Sequence, residues 1–272
     1  MWSFTHSCLN WMLETHGYPQ RYNLAAYREL FGFPIEDYYR CAGFDFARHP
    51  YPELAARFME HYNAGVPGCA VTAHAVDTLQ TLARMGWQQA VLSASRRDYL
   101  IEQVSARSLQ GFFTELLGLA DIYGVSKVQL GTDYLRRTGI DPAACVMVGD
   151  TDHDAAVAAA IGATCVLYTG GHQSRARLEK ASPYVIDDLA QLAALLGTIY
   201  ISAQNTVGVL SLLVLQPVAT NKSRHTKCVC FFWSEQRDLN PRPPRPERGA
   251  LPTALCPENT AAGRRLRFSG WG

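Results

Sequence analysis

The segment Val148-Gly149-Asp150-Thr151-Asp152-His153-Asp154 puts three carboxylates within five positions, directly after the apolar run Cys145–Gly149. Like charges this dense repel one another unless a cation or hydrogen-bond donors hold them, and hard oxygen donors at a strand end suit Mg²⁺. Asp150 ends the run and would face the metal. Asp154, one helical turn later, would either ligate or orient its neighbours through a hydrogen bond. The plainer reading is a loop whose acids cap the next helix; the charge density argues against it. Two further positions invite chemistry. In Leu92-Ser93-Ala94-Ser95 a strand runs into Ser93 and a helix begins just beyond, so a hydroxyl beside free backbone N–H groups would form an anion site. The alternative is that Ser93 or Ser95 is simply an N-cap. Lys127 stands at a helix start, where the macrodipole disfavours a cation; neutralising a phosphate and a nearby carboxylate would give it a reason. A solvated surface lysine is the ordinary alternative.

Positioning these residues requires alternating strands and helices. From about Val71 the pattern reads as helix Ala73–Met85, strand Gln89–Ser93, helix Asp98–Ser108, a weaker strand near Leu116–Ile122 and helix Val128–Thr138. The strand Cys145–Asp150, helix His153–Ile161, strand Thr164–Tyr168, helix Ser174–Lys180 and strand Tyr184–Ile186 follow. Strands that are apolar throughout and alternate with helices predict a Rossmann-like parallel α/β sheet covered on both faces, with ligands at the carboxyl ends of its strands. Residues 7–66 read instead as helices alone, near Leu9–Leu13, Leu24–Phe31, Ile35–Cys41 and Pro52–Asn63, broken by Gly and Pro.

A strand-end hydroxyl, then a lysine, then a Gly-Asp-x-x-x-Asp turn, with helices in front, resembles the haloacid dehalogenase superfamily in its phosphoglycolate phosphatase-like branch. The resemblance covers about residues 7–197. It implies that Ser93, with the adjoining Ala94, and Lys127 hold a transferring phosphoryl group, that Asp150 and Asp154 serve Mg²⁺, and that the substrate is a small phosphorylated metabolite. It also implies a helical cap over 1–68 and an α/β core over 69–197; residues 198–272 do not share the resemblance and form a tail. The family's nucleophile motif, Asp-x-Asp-Gly-Thr, does not occur in the 272 residues. The expectation is therefore a phosphatase of this family that is inactive as given, or a phosphate- or metal-binding relative. The strand that carries the motif lies at the sheet centre in this family, so a gap is expected there. The apolar segment Val207–Gln216 is a candidate to fill it.

Composition sets the remaining bounds. Hydrophobic residues make up 48% and the formal net charge is +1, with no general pull toward nucleic acid. The average hides a split, since residues 198–272 carry 10 Lys+Arg against 4 Asp+Glu and half of the 14 prolines. Such a tail is expected to be disordered. Its stretch 237–257 also resembles the conceptual translation of a transfer-RNA gene. No run is long enough to span a bilayer and no leader pattern opens the chain, so a cytoplasmic protein is expected. The eight cysteines lack zinc-finger spacing and read as reduced, buried thiols.

Overall fold

The computed structural model describes residues 2–119, 126–207 and 227–232. Ten α-helices, four single-turn 3-10 helices and six strands occur among them. The first four helices, α1 (Trp2–Thr15), α2 (Leu24–Leu30), α3 (Ile35–Cys41) and α4 (Tyr51–Gly65), enclose an aromatic-rich core. Leu9, Met12 and Leu13 of α1 share one face and are buried against Tyr27, Phe31, Tyr39, Phe58 and Tyr62. Rings of this size supply much of the apolar area of so small a unit.

The remaining elements alternate as the sequence predicts. They run α5 (Ala75–Arg84), β1 (Gln88–Arg96), α6 (Arg97–Ala106), β2 (Glu115–Leu119), α7 (Lys127–Thr138), β3 (Cys145–Gly149), α8 (Asp152–Ile161), β4 (Thr164–Tyr168), α9 (Arg175–Ala181), β5 (Val185–Ile186), α10 (Leu192–Val207) and β6 (Cys228–Phe232). The sheet order is β2-β1-β6-β3-β4-β5 and every pairing is parallel. On one face α7 and α8 cover Leu92, Cys145 and Met147 with Tyr134, Leu135, Val157 and Ile161. On the other, Leu82 of α5 and Leu192 and Leu196 of α10 cover Val146, Val148 and Val166.

Two expectations about the tail are corrected. The gap at the sheet centre is filled: β6 pairs with β1 from Gln88↔Cys228 to Leu92↔Phe232 and with β3 from Cys145↔Cys228 to Val148↔Phe231. The tail's basic, proline-rich average hid a five-residue apolar run, and a run that short gives no periodicity to read. The slot thus goes to Cys228–Phe232. Of the other candidate, Val207 ends α10 and residues 208–216 lie outside the described residues. The limit at residue 197 also falls inside α10, whose Leu192 and Leu196 are wholly buried. Among the described residues no helix is long and apolar enough to cross a membrane. Cys8, Cys69, Cys145, Cys165, Cys228 and Cys230 are free thiols, whereas Cys41 is disulfide-bonded, contrary to the expectation of reduced thiols throughout.

Candidate functional site

The acidic turn is built by the junction of β3 and α8. Thr151 N-caps α8 and, with Asp154, forms a reciprocal capping box. Asp154 Oδ2 accepts from the Asp150 N–H at 3.1 Å, the Thr151 N–H at 3.1 Å and the Thr151 hydroxyl at 2.8 Å. Its Oδ1 lies 3.6 Å from Lys127 Nζ, and both side chains are nearly sealed from solvent, at 11% and 4% exposure. The solvated-lysine reading of Lys127 therefore fails. Ser126 N-caps α7, so the helix start is secured by a neighbour and the lysine is left to serve Asp154. The capping reading of the acids holds for Asp154 alongside its ion pair. Asp152 turns elsewhere, taking Arg177 at 2.8 Å and the Gln173 amide at 2.9 Å.

Asp150 is in a different position from both. Its Oδ2 accepts from the His172 N–H at 2.9 Å, and no partner of its Oδ1 occurs among the described residues. Burial, then the adjacent Asp154 carboxylate, pushes its pKa up from 3.8 to about 7, against the pull of the His172 N–H and Lys127. Lys127 and the His172 N–H offset the burial of this group only in part. Backbone space here is minimal: a Cβ on Gly171 would stand 2.0 Å from Asp150 Oδ2, and one on Gly149 2.5 Å from Asp154 Cβ. Gly171→Ala is expected to displace the Asp150 carboxylate at a cost of about 1–3 kcal/mol in stability, read as a lowered denaturation midpoint.

Ser93 is placed otherwise than expected. β1 continues past it to Arg96, and α6 is capped at Arg96 without a side-chain bond, so neither Ser93 nor Ser95 is an N-cap. The register breaks between Leu92 and Arg96, and Ser93 Oγ instead donates to Ser95 Oγ at 2.9 Å and accepts the Ser95 N–H at 3.1 Å. Leu92 pairs with Phe232 and Val148 with Phe231, so Ser93 and Asp150 stand at one level of the sheet, on opposite sides of β6. Ala94 follows at the same carboxyl end, where parallel α/β sheets bind ligands.

Helix α2 and its connection to α3 cover this end. Phe33 lies 4.7 Å from the His153 ring and its ring centroid 6.0 Å from Lys127 Nζ. Arg28 Nε donates to Gly171 O at 3.2 Å and Gln173 Nε2 to Phe31 O at 3.2 Å. Tyr27 Oη lies 2.6 Å from His172 Nδ1, and that imidazole stacks on Phe31 with centroids 4.4 Å apart. Burial pulls His172 down from 6.5 to about 4 and holds Tyr27 well above 10, so a neutral phenol donates to a neutral ring. Tyr27→Phe would leave a buried acceptor unpaired and is expected to cost about 1–3 kcal/mol at pH 7, measured by chemical denaturation. A depressed pKa contributes stability that is present above 6.5 and lost as pH falls through about 4.

Among Arg21, Arg28, Arg40 and His61 of the four-helix unit, Arg28 alone bonds the α/β core. Arg21 bonds Tyr18 O and Gln20 O, Arg40 pairs with Glu36 and Asp37, and His61 stacks on Trp11. Tyr27, Gly171, His172 and Gln173 escaped the sequence reading because a tyrosine within a core-like face and a Gly-Gly loop carry no motif. Beside Asp150 a cavity of about 190 Å³ opens, walled by Leu79, Phe113 and Phe231, with Thr78 and Arg107 among its polar residues.

A model of the family described as haloacid dehalogenase-like hydrolase matches residues 2–168. The chain belongs to this family. A phosphoglycolate phosphatase of Haemophilus influenzae (strain 86-028NP) is 28% identical over 122 residues, 44% of this chain and 54% of that protein. The chain thus matches about half the length of that curated relative. Two solved structures share the fold of this haloacid dehalogenase-like chain. A haloacid dehalogenase-like family hydrolase from Streptococcus pneumoniae superposes with a TM-score of 0.61 at 17% identity, covering 71% of this chain and 90% of that one. A predicted phosphoglycolate phosphatase from Haemophilus somnus 129pt does so at 0.55 and 17%, covering 70% and 89%.

Proposed function

We propose that this chain binds Mg²⁺ and the phosphate of a small monoester, in the manner of a phosphoglycolate phosphatase-like member of its family, and does not turn the monoester over. One observation carries the reading: Asp150 has one carboxylate oxygen fixed by the His172 N–H while the other takes no partner among the described residues, and Lys127 does not offset its burial and the adjacent Asp154 carboxylate. A hard divalent cation fits that donor. Asp150 would hold it directly. Asp154, its Oδ2 saturated by three donors, would orient Asp150 and Thr151 and keep Lys127 in place. When bound, Mg²⁺ neutralises phosphate charge and polarises its oxygens.

On this reading Lys127 takes one phosphate oxygen while remaining within reach of Asp154, and Ser93 Oγ with the Ala94 N–H takes another from across β6. Phe33 and α2 would exclude water above them. The cavity beside Asp150 would receive the organic part of the ester, with Thr78 Oγ1 and Arg107 Nε, two buried polar atoms without hydrogen-bond partners among the described residues, as its polar contacts. Hydrolysis needs a nucleophile and an acid. β6, in the strand position where the family carries them, reads Cys-Val-Cys-Phe-Phe and offers no carboxylate.

The test combines calorimetric titration of Mg²⁺ and inorganic phosphate with an assay of p-nitrophenyl phosphate. Binding of both is expected, lost in Asp150→Asn, with no turnover above background. Turnover that disappears in Asp150→Asn would overturn the inactive half of the reading, and Mg²⁺ affinity unchanged in Asp150→Asn would overturn the site.

A further inference from the structure

Three thiols from two strands distant in sequence meet at the sheet centre. Cys145 opens β3, and Cys228 and Cys230 lie two residues apart on β6, so all three turn to the face covered by α7 and α8. Cys230 Sγ lies 3.8 Å from Cys145 Sγ and 3.8 Å from Cys228 Sγ, and the three sulfurs all fall within 4.8 Å of one another. All are free thiols, with exposures of 0%, 0% and 4%. Tyr134 Oη, from α7, lies 3.7 Å from Cys228 Sγ.

The two 3.8 Å separations match a known geometry. Tetrahedral coordination at a Zn–S bond of about 2.3 Å sets neighbouring sulfurs about 3.8 Å apart, whereas a disulfide requires about 2.05 Å. We propose that Cys145, Cys228 and Cys230 form a buried site for a thiophilic divalent cation of the zinc class, which clips β6 to β3. Tyr134 Oη, 3.7 Å from Cys228 Sγ, is placed to offer a fourth donor. Binding replaces three S–H bonds by three metal–thiolate bonds and releases the protons to solvent, with no change of oxidation state. Thiolates select such a cation over Mg²⁺, so this site is chemically separate from the carboxylates at the strand ends. Its ligands come from strands far apart in sequence, and metal binding is therefore coupled to docking of β6.

The full chain, reduced, stripped with chelator and desalted, is titrated with Cd²⁺ in the presence of excess Mg²⁺. Expected are stoichiometric retention through gel filtration, an ultraviolet thiolate-to-metal charge-transfer band and a raised thermal midpoint. Cys145→Ser and Cys230→Ser should each lose the band and weaken binding by more than the roughly 10–100-fold that loss of an outer partner costs. Cys8→Ser and Cys165→Ser, outside the cluster, should keep it, as should Asp150→Asn. A band that survives in Cys145→Ser and Cys230→Ser, or that falls equally in Cys8→Ser, overturns the site. Should the serine variants fail to fold, the wild-type titration decides: a reduced chain that takes up no Cd²⁺, or whose thermal midpoint Cd²⁺ leaves unmoved, overturns it too.

Discussion

Val229→Asp is expected to abolish cooperative unfolding of the α/β core while leaving the chain's helical content largely in place. Val229 has no exposure, lies in the middle strand and packs among Leu82, Val146, Val148 and Leu192. An unpaired carboxylate there costs on the order of 3–5 kcal/mol, a large share of the roughly 5–15 kcal/mol that holds an ordinary domain together. Deleting residues 227–232 is the stronger form of the same experiment. It leaves β1 and β3 with facing rows of backbone donors and acceptors that have lost their partners from Gln88 to Leu92 and from Cys145 to Val148. Both variants should show a far-ultraviolet circular dichroism spectrum close to wild type, loss of the near-ultraviolet contribution of the α/β core's own aromatic rings, and dye binding to exposed apolar surface. The four-helix unit keeps its own aromatic core, so its signals should persist. A deletion variant that unfolds at the wild-type denaturant midpoint would show that the sheet does not depend on β6.

What the sequence made legible follows from how far each signal reaches. Strand Thr164–Tyr168 and the helix ending at Thr138 were readable because apolar runs and glycine stops act within a few residues. The acidic turn was readable for the same reason, since a capping box and three carboxylates are local. Lys127 was suspected from a local conflict with the helix dipole, and its ion pair with Asp154 resolves that conflict. β1 was cut short at Ser93 because Ser-Ala-Ser reads as a turn, whereas the chain stays extended through a register break to Arg96. The central strand was not legible at all. Cys228–Phe232 is apolar but short, is embedded in a basic, proline-rich tail, and acquires its meaning only from two partner strands that precede it by more than seventy residues. The same distance hid the thiol cluster, and hid His172, whose hydrogen bond from Tyr27 joins residues 145 positions apart.

Asp150→Asn should be more stable than wild type without metal and less stable with it, and the size of the first effect should depend on pH. In wild type the folded pKa of Asp150 is raised to about 7 from 3.8, mainly by burial and then by Asp154. A raised pKa means that the native state holds its proton more tightly than the unfolded chain. The stability this contributes is complete below pH 3.8 and is lost as pH rises through about 7. Asparagine cannot ionise, yet its side-chain oxygen can still accept the His172 N–H. The advantage of Asp150→Asn should therefore grow between pH 3.8 and 7 and then level off. Saturating Mg²⁺ reverses the order above pH 7, because a ligand that binds only the native state stabilises it by RT ln(1 + [L]/Kd), about 2.7 kcal/mol at a hundred times Kd. The cation must also displace the proton, so its affinity for wild type should fall roughly tenfold per pH unit below 7 and flatten above it. Denaturation midpoints of both proteins at pH 5 and pH 8, with and without Mg²⁺, test all of this together. Parallel curves for the two proteins with and without Mg²⁺ would mean that Asp150 is not where the cation sits.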